Sequence, residues 1–190
     1  MSPMPDGGIP AEPECATRPL DSSLPVLGIH GRSNSGKTRL VEQLIAGLTR
    51  RGLRVGSVKH ASHRPQLDVE GKDSWRHGQA GAQRVLLIGP DSATLFVHKQ
   101  APSELAPWMA SFEGHVDVLI VEGFREVLAP AVRLEVSDVA GFQLTRDPTA
   151  QPARWLLRRP HIEGNWLDFP EDLVERLLDE AAAVVGWQKK

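Results

Sequence analysis

The chain has a single cysteine, Cys15, among its 190 residues. That excludes an internal disulfide and a metal site built from cysteine alone. It also has no excess of basic charge. Lysine and arginine number 22 against 24 aspartates and glutamates, a formal net charge of −2. A nucleic-acid partner therefore has no global electrostatic support, although a local basic pocket fits the totals. No apolar run approaches the roughly 18 residues of a membrane span. The N-terminal residues lack the basic-then-apolar order of a signal peptide. A soluble, cytoplasmic protein is expected.

What is present is an ordinary globular balance, with 41% hydrophobic and 24% charged residues. The length fits one domain with a sizeable core. Residues 1–24 carry five prolines and little apolar content, and read as a flexible leader. The domain is expected over residues 25–190.

Within it, "PVLGIH" (25–30) reads as a buried strand. Leu40, Val41, Leu44, Ile45 and Leu48 then recur at helical spacing, up to a stop at Arg51 and Gly52. Strands follow at 53–60, 83–89 and 93–99, the last two around a "GPDS" turn, with a short helix at 74–82. "PSELAPWMASFE" (102–113) suggests a helix capped by Ser103. "VDVLIVEGF" (116–124) is the most apolar run and predicts a strand buried on both faces. Weaker strands are expected at 131–136 and 153–158, and an amphipathic helix at 170–187. The alternation predicts an α/β fold with a mostly parallel sheet flanked by helices.

"GRSNSGKT" matches GxxxxGK[ST] at Gly31, Gly36, Lys37 and Thr38, between a strand and a helix as a P-loop requires. Such a loop wraps so that successive amides point at phosphate oxygens. Arg32, Ser33, Asn34, Ser35 and Arg39 belong to the same nucleotide-binding stretch. Asn34 sits where a left-handed backbone is expected, which asparagine tolerates. Lys37 would reach the β- and γ-phosphates and the Thr38 hydroxyl would bind Mg²⁺. The fold class is thus a P-loop NTPase.

Such a site needs a carboxylate at the end of a neighbouring strand. Asp117 and Glu122 lie five apart, roughly 16 Å along a strand and on opposite faces. Phosphates bind at the C-terminal ends of parallel strands. Glu122, beside Gly123, stands at that end and is the expected partner of Thr38 at the metal. Asp117 is expected to be a solvated strand start.

The long polar segment 59–77 follows the second strand and carries Lys59, His60, His63, Asp68, Lys72, Asp73, Arg76 and His77. Groups of both signs near a triphosphate suit metal, anions or both. Asp73 is open to a site role or to capping the next helix.

Together, "GRSNSGKT", "VKHASHRPQLDVEGKDSWRHGQAGA" and "VEGFREVLAPAVRLEV" resemble the bacterial MobB family over roughly residues 25–136. These are GTP-binding proteins of molybdenum cofactor biosynthesis. The resemblance implies a homodimer that binds GTP with Mg²⁺ and hydrolyses it slowly at most. It implies a partner guanylyltransferase that joins GMP to molybdopterin, giving molybdopterin guanine dinucleotide. It carries over residues 31–38 as the nucleotide loop. It also carries over Lys59, His60, His63, Asp68, Gly71, Lys72, Asp73 and Ser74 as the ligand or partner loop, and Glu122, Gly123 and Phe124 as the strand end. Arg125 replaces a family lysine. Ser62, Arg64 and Gln66 replace a histidine and two aspartates, which disfavours a metal cage and, through Arg64, favours an anion. No clean NKxD guanine-reading motif is present; "LTRDP" with Asp147 is a poor match. Guanine is therefore implied by the resemblance alone. Two other classes remain open: a small-molecule kinase using Asp73, Arg64 and Arg76, and a metallochaperone-type GTPase using His60 and His63.

Overall fold

The computed structural model describes residues 23–61, 67–97, 105–124, 129–137, 139–160 and 168–187. The expected leader lies outside these, apart from its last two residues.

Strand β1 (Val26–Gly31) leads through the glycine-rich turn into helix α1 (Lys37–Arg50). Strand β2 (Val55–Lys59), helix α2 (Asp73–Gln79) and a hairpin of β3 (Arg84–Ile88) and β4 (Ala93–Val97) follow. Then come a 3₁₀ helix (Ala106–Ser111), β5 (Val118–Glu122), β6 (Ala131–Ser137), β7 (Gln143–Asp147), β8 (Arg154–Pro160) and helix α3 (Glu171–Val185).

Six strands form one sheet in the order β2-β5-β1-β6-β8-β7. All neighbours are parallel except β7, which runs antiparallel to β8 at the edge. The parallel centre explains its composition. Helices or loops must cover both faces of such strands, so they read as continuous apolar runs. All five residues of β5 are buried.

Helices α1 and α3 cover one face. Leu40, Leu44 and Leu48 of α1 meet Leu173, Leu177 and Leu178 of α3 over Leu27, Ile29, Val132, Leu134, Trp155 and Leu157 of the sheet. Each buried leucine contributes about 1.5–3 kcal/mol relative to exposure. On the other face Leu24, Val26, Leu119 and Val121 pack with Leu105, Met109 and Ala129. There β1, β6, β8 and β7 place His30, Arg133, Leu156 and Thr145 in one register row.

Three elements differ from expectation. The 102–113 helix is a short 3₁₀ turn with a proline in its first turn, and Ser103 lies outside the described residues. Strand β7 had no apolar run to announce it, because it is a largely exposed edge. The β3–β4 hairpin is a separate two-stranded sheet. Among the described residues no helix is long and apolar enough to cross a membrane.

Candidate functional site

The P-loop leaves β1 at Gly31 and enters α1 at Lys37. Asn34 takes φ 58° and Gly36 φ 95°, both left-handed. Gly36 precedes the helix without any side-chain cap, so the first amides of α1 remain directed at the loop's interior. A Cβ on Gly36 would stand 3.0 Å from Arg159 Nη1, so the position is tight as well as left-handed. Ser35 is buried beneath the loop, whereas Arg32, Ser33 and Asn34 are exposed. Lys37 Nζ donates to the Arg32 carbonyl at 2.6 Å, folding its ammonium back across the loop.

The groups that meet at the loop's mouth come from three elements. Thr38 Oγ1, at the start of α1, donates to Glu122 at the end of β5, 3.4 Å from Oε1 and 3.3 Å from Oε2. Lys59, the last residue of β2, donates from Nζ to Thr38 Oγ1 at 3.3 Å and pairs with Glu122 Oε1 at 3.5 Å. Glu122 is only 8% exposed. A hydroxyl and a carboxylate converging at a phosphate-loop mouth suit a hard cation that takes oxygen ligands and keeps several waters, as Mg²⁺ does. Among the described residues no group of three or more His, Cys, Asp or Glu is arranged to hold a metal.

Behind Glu122 the chain turns sharply. Gly123 has φ 95° and Phe124 φ 47°. A Cβ on Gly123 would lie 2.8 Å from His60 Cβ, so only glycine fits there. The His60 ring stacks on Phe124 at 4.4 Å, and its amide donates to the Glu122 carbonyl at 2.8 Å. His60 thus buttresses the strand end.

Residues 67–77, the other described part of the polar loop, are tied to one another. Ser74 donates to Asp68 at 2.8 Å, and Arg76 faces Asp73 at 3.9 Å. Asp73 is the first residue of α2; Lys72 occupies the cap position and makes no side-chain cap bond. Helix α2 packs against β3. His63 and Arg125 lie outside the described residues. Arg39 binds Glu42 at 2.8 Å and Asp168, and these hydrogen bonds, Glu42's foremost, raise its pKa. Asp117 is not a solvated strand start: it accepts from the Arg54 amide at 2.8 Å and from its guanidinium at 2.9 Å, at the far end of β5.

Beside the loop's outer wall is a cavity of about 1100 Å³ lined largely by β6, β8 and β7. Arg32, Arg133, Arg146 and Arg154 line it against Glu135 and Asp147, leaving it net cationic.

The family described as molybdopterin guanine dinucleotide synthesis protein B, MobB, matches residues 26–149. This chain belongs to the MobB family. A Haemophilus influenzae relative, named a molybdopterin-guanine dinucleotide biosynthesis adapter protein, is 38% identical over 116 residues. The match covers 60% of this chain and 65% of that protein. An Escherichia coli relative of the same name is 30% identical over 176 residues, covering 88% of this chain and 95% of that protein. The crystal structure of Bacillus subtilis MobB aligns with a TM-score of 0.51 at 30% identity, over 59% of this chain and 68% of that one. A MobB homologue from Bacillus stearothermophilus covers 84% of this chain and 99% of its own, with a TM-score of 0.55. At 20% identity that likeness shows the fold alone.

The MobB match takes in the P-loop, Lys59 and Glu122 but ends before β8. Two site residues beyond it escaped the sequence reading. Arg159 is 6% exposed beside Gly36, and burial lowers its pKa. Its signal was parity: Trp155, Leu157 and Arg159 alternate on the buried side of β8, and an arginine there is unusual. Asp168 holds Arg39 from 129 residues away, and no local pattern announces it.

Proposed function

We propose that this MobB-family chain binds GTP with Mg²⁺ at residues 31–39 and serves as an adapter to the guanylyltransferase that joins GMP to molybdopterin. The convergence of Thr38 and Glu122 at the mouth of the phosphate loop carries this reading. Backbone amides and Lys37 hold the phosphates, while Thr38 binds the metal and Glu122 orients it through its waters. Held by these two residues, Mg²⁺ would supply positive charge to offset that of the phosphates. Hydrolysis is slow at most, and transfer of GMP belongs to the partner enzyme.

The net-cationic cavity beside the loop supports a place for molybdopterin, whose phosphate would meet arginine. The MobB relatives' name supports guanine over adenine. A homodimer is supported by the hairpin. Leu86, Ile88 and Leu95 share one of its faces and are exposed, Ile88 by 71%. Apolar faces of this kind are covered by partners in stable proteins. A kinase reading is less favoured, because Asp73 and Arg76 face each other on α2. A metallochaperone reading is less favoured because the His60 ring stacks on Phe124.

Competition binding with GTP and ATP, with and without the purified guanylyltransferase, tests this. GTP preference and a complex with the enzyme are expected. Rapid phosphorylation of a small molecule, or equal affinity for both nucleotides with no complex, would overturn it.

A further inference from the structure

Glu122 is only 8% exposed, and a carboxylate buried so far needs a partner. Lys59 supplies it. The two residues are register partners on adjacent parallel strands, so the backbone rather than a loop sets their approach. The next residue is fixed too, by the hydrogen bond from the His60 amide to the Glu122 carbonyl. From this anchored Cα the lysine side chain reaches over the strand end. Its ammonium comes within 3.3 Å of Thr38 Oγ1 and 3.5 Å of Glu122 Oε1. Those are the two oxygen donors on which a P-loop builds its metal site. Lys37, the loop's own lysine, donates to the Arg32 carbonyl.

We infer that Lys59 is a tethered cation that occupies the magnesium seat between Thr38 and Glu122 and competes with Mg²⁺ for it. The inference rests on the reading of this loop as a magnesium–triphosphate site. The competition follows from space and charge. Magnesium binds oxygen at about 2.0–2.1 Å and demands octahedral geometry. An ion held by Thr38 and Glu122 would compete with Lys59 Nζ, which lies within 3.5 Å of both oxygens, for the same acceptors and the same negative charge. The Lys59 side chain is 61% exposed on a flexible four-carbon stem, so it can swing into solvent when the metal enters.

Two consequences follow. Without metal, Lys59 keeps Thr38 and Glu122 in register and offers a second ammonium to an incoming triphosphate. With metal, Lys59 is displaced and contributes little. Lys59 therefore makes triphosphate binding less dependent on Mg²⁺. By linkage, it weakens the complex's hold on Mg²⁺ by the same factor.

The test is equilibrium titration of the full chain with a fluorescent GTP analogue, in EDTA and across a Mg²⁺ series. Wild type, Lys59→Met and Lys59→Arg are compared. For Lys59→Met, affinity in EDTA is expected to fall about tenfold, with affinity in saturating Mg²⁺ little changed and the Mg²⁺ midpoint about tenfold lower. Lys59→Arg, which keeps the charge, is expected to retain most of the binding in EDTA. An equal loss for Lys59→Met with and without Mg²⁺ would make Lys59 an ordinary phosphate or structural contact and overturn the inference. So would no change in either condition. If wild type bound no triphosphate even in saturating Mg²⁺, the proposed function itself would fail, and this inference with it.

Discussion

Thr38 Oγ1 and Glu122 Oε2 meet at 3.3 Å although 84 residues separate them in the chain. One starts α1 and the other ends β5, and the parallel pairing of β1 with β5 brings them together. Changing Glu122 to glutamine keeps the shape and removes the charge. The gain in GTP affinity on adding Mg²⁺ is expected to shrink about tenfold, as for loss of one charge-assisted contact. The melting temperature is expected to stay close to wild type. An unchanged Mg²⁺ dependence would remove Glu122 from the metal site.

Gly36 joins the loop to its helix in a left-handed conformation. Alanine there costs about 1–2 kcal/mol for the backbone alone. Its Cβ would also press on Arg159 Nη1. Gly36→Ala is expected to melt a few degrees lower and to bind GTP more weakly. Thermal denaturation and titration on one preparation check both, and a variant indistinguishable from wild type would show that the loop tolerates another geometry.

Much of this arrangement was legible in the sequence because the P-loop's chemistry is local. The strand, the glycines, Asn34 and the start of α1 lie within 13 residues of one another. The unbroken apolar run of β5 and the periodicity of α3 were legible for the same reason. What escaped depends on long-range packing. Strand β7 exists only because β8 is there to pair with, so its own residues carry no burial pattern. The polar loop looked like one functional unit. Among its described residues Lys59 and His60 stand at the sheet edge, whereas α2, which precedes the hairpin, packs on β3. Arg159 and Asp168 reach the site from β8 and from the approach to α3, elements with no motif of their own.

The hairpin carries the expectation of a dimer. Leu86 and Leu95 are register partners, with Ile88 on the same face. Light scattering of the wild type is expected to give about twice the 20.8 kDa chain mass. Ile88→Lys with Leu86→Glu is expected to bring it down to a single chain with the main sheet still folded. A monomeric wild type would leave the hairpin to some other partner.

Asp147, in the cavity wall, accepts from the Thr149 hydroxyl at 2.7 Å and its amide at 2.9 Å. These bonds, the hydroxyl's first, hold its carboxyl below the usual 3.8. A depressed carboxyl stabilises the fold above its unfolded value, and that contribution is lost as pH falls through the folded value. Asp147 is therefore ionised throughout the neutral range. Thr149→Val is expected to raise its midpoint toward 3.8, as read by NMR titration. A midpoint that does not move would assign the shift to other groups.

The account stands most directly on Lys37. Calorimetric titration of wild type and Lys37→Met with GTP and Mg²⁺, alongside circular dichroism of both, isolates the phosphate loop from everything else. Saturable binding by the wild type is expected, with a loss of at least about tenfold in the variant at unchanged helix content. Equal affinities in two equally folded proteins would contradict the assignment of residues 31–38 as the nucleotide site.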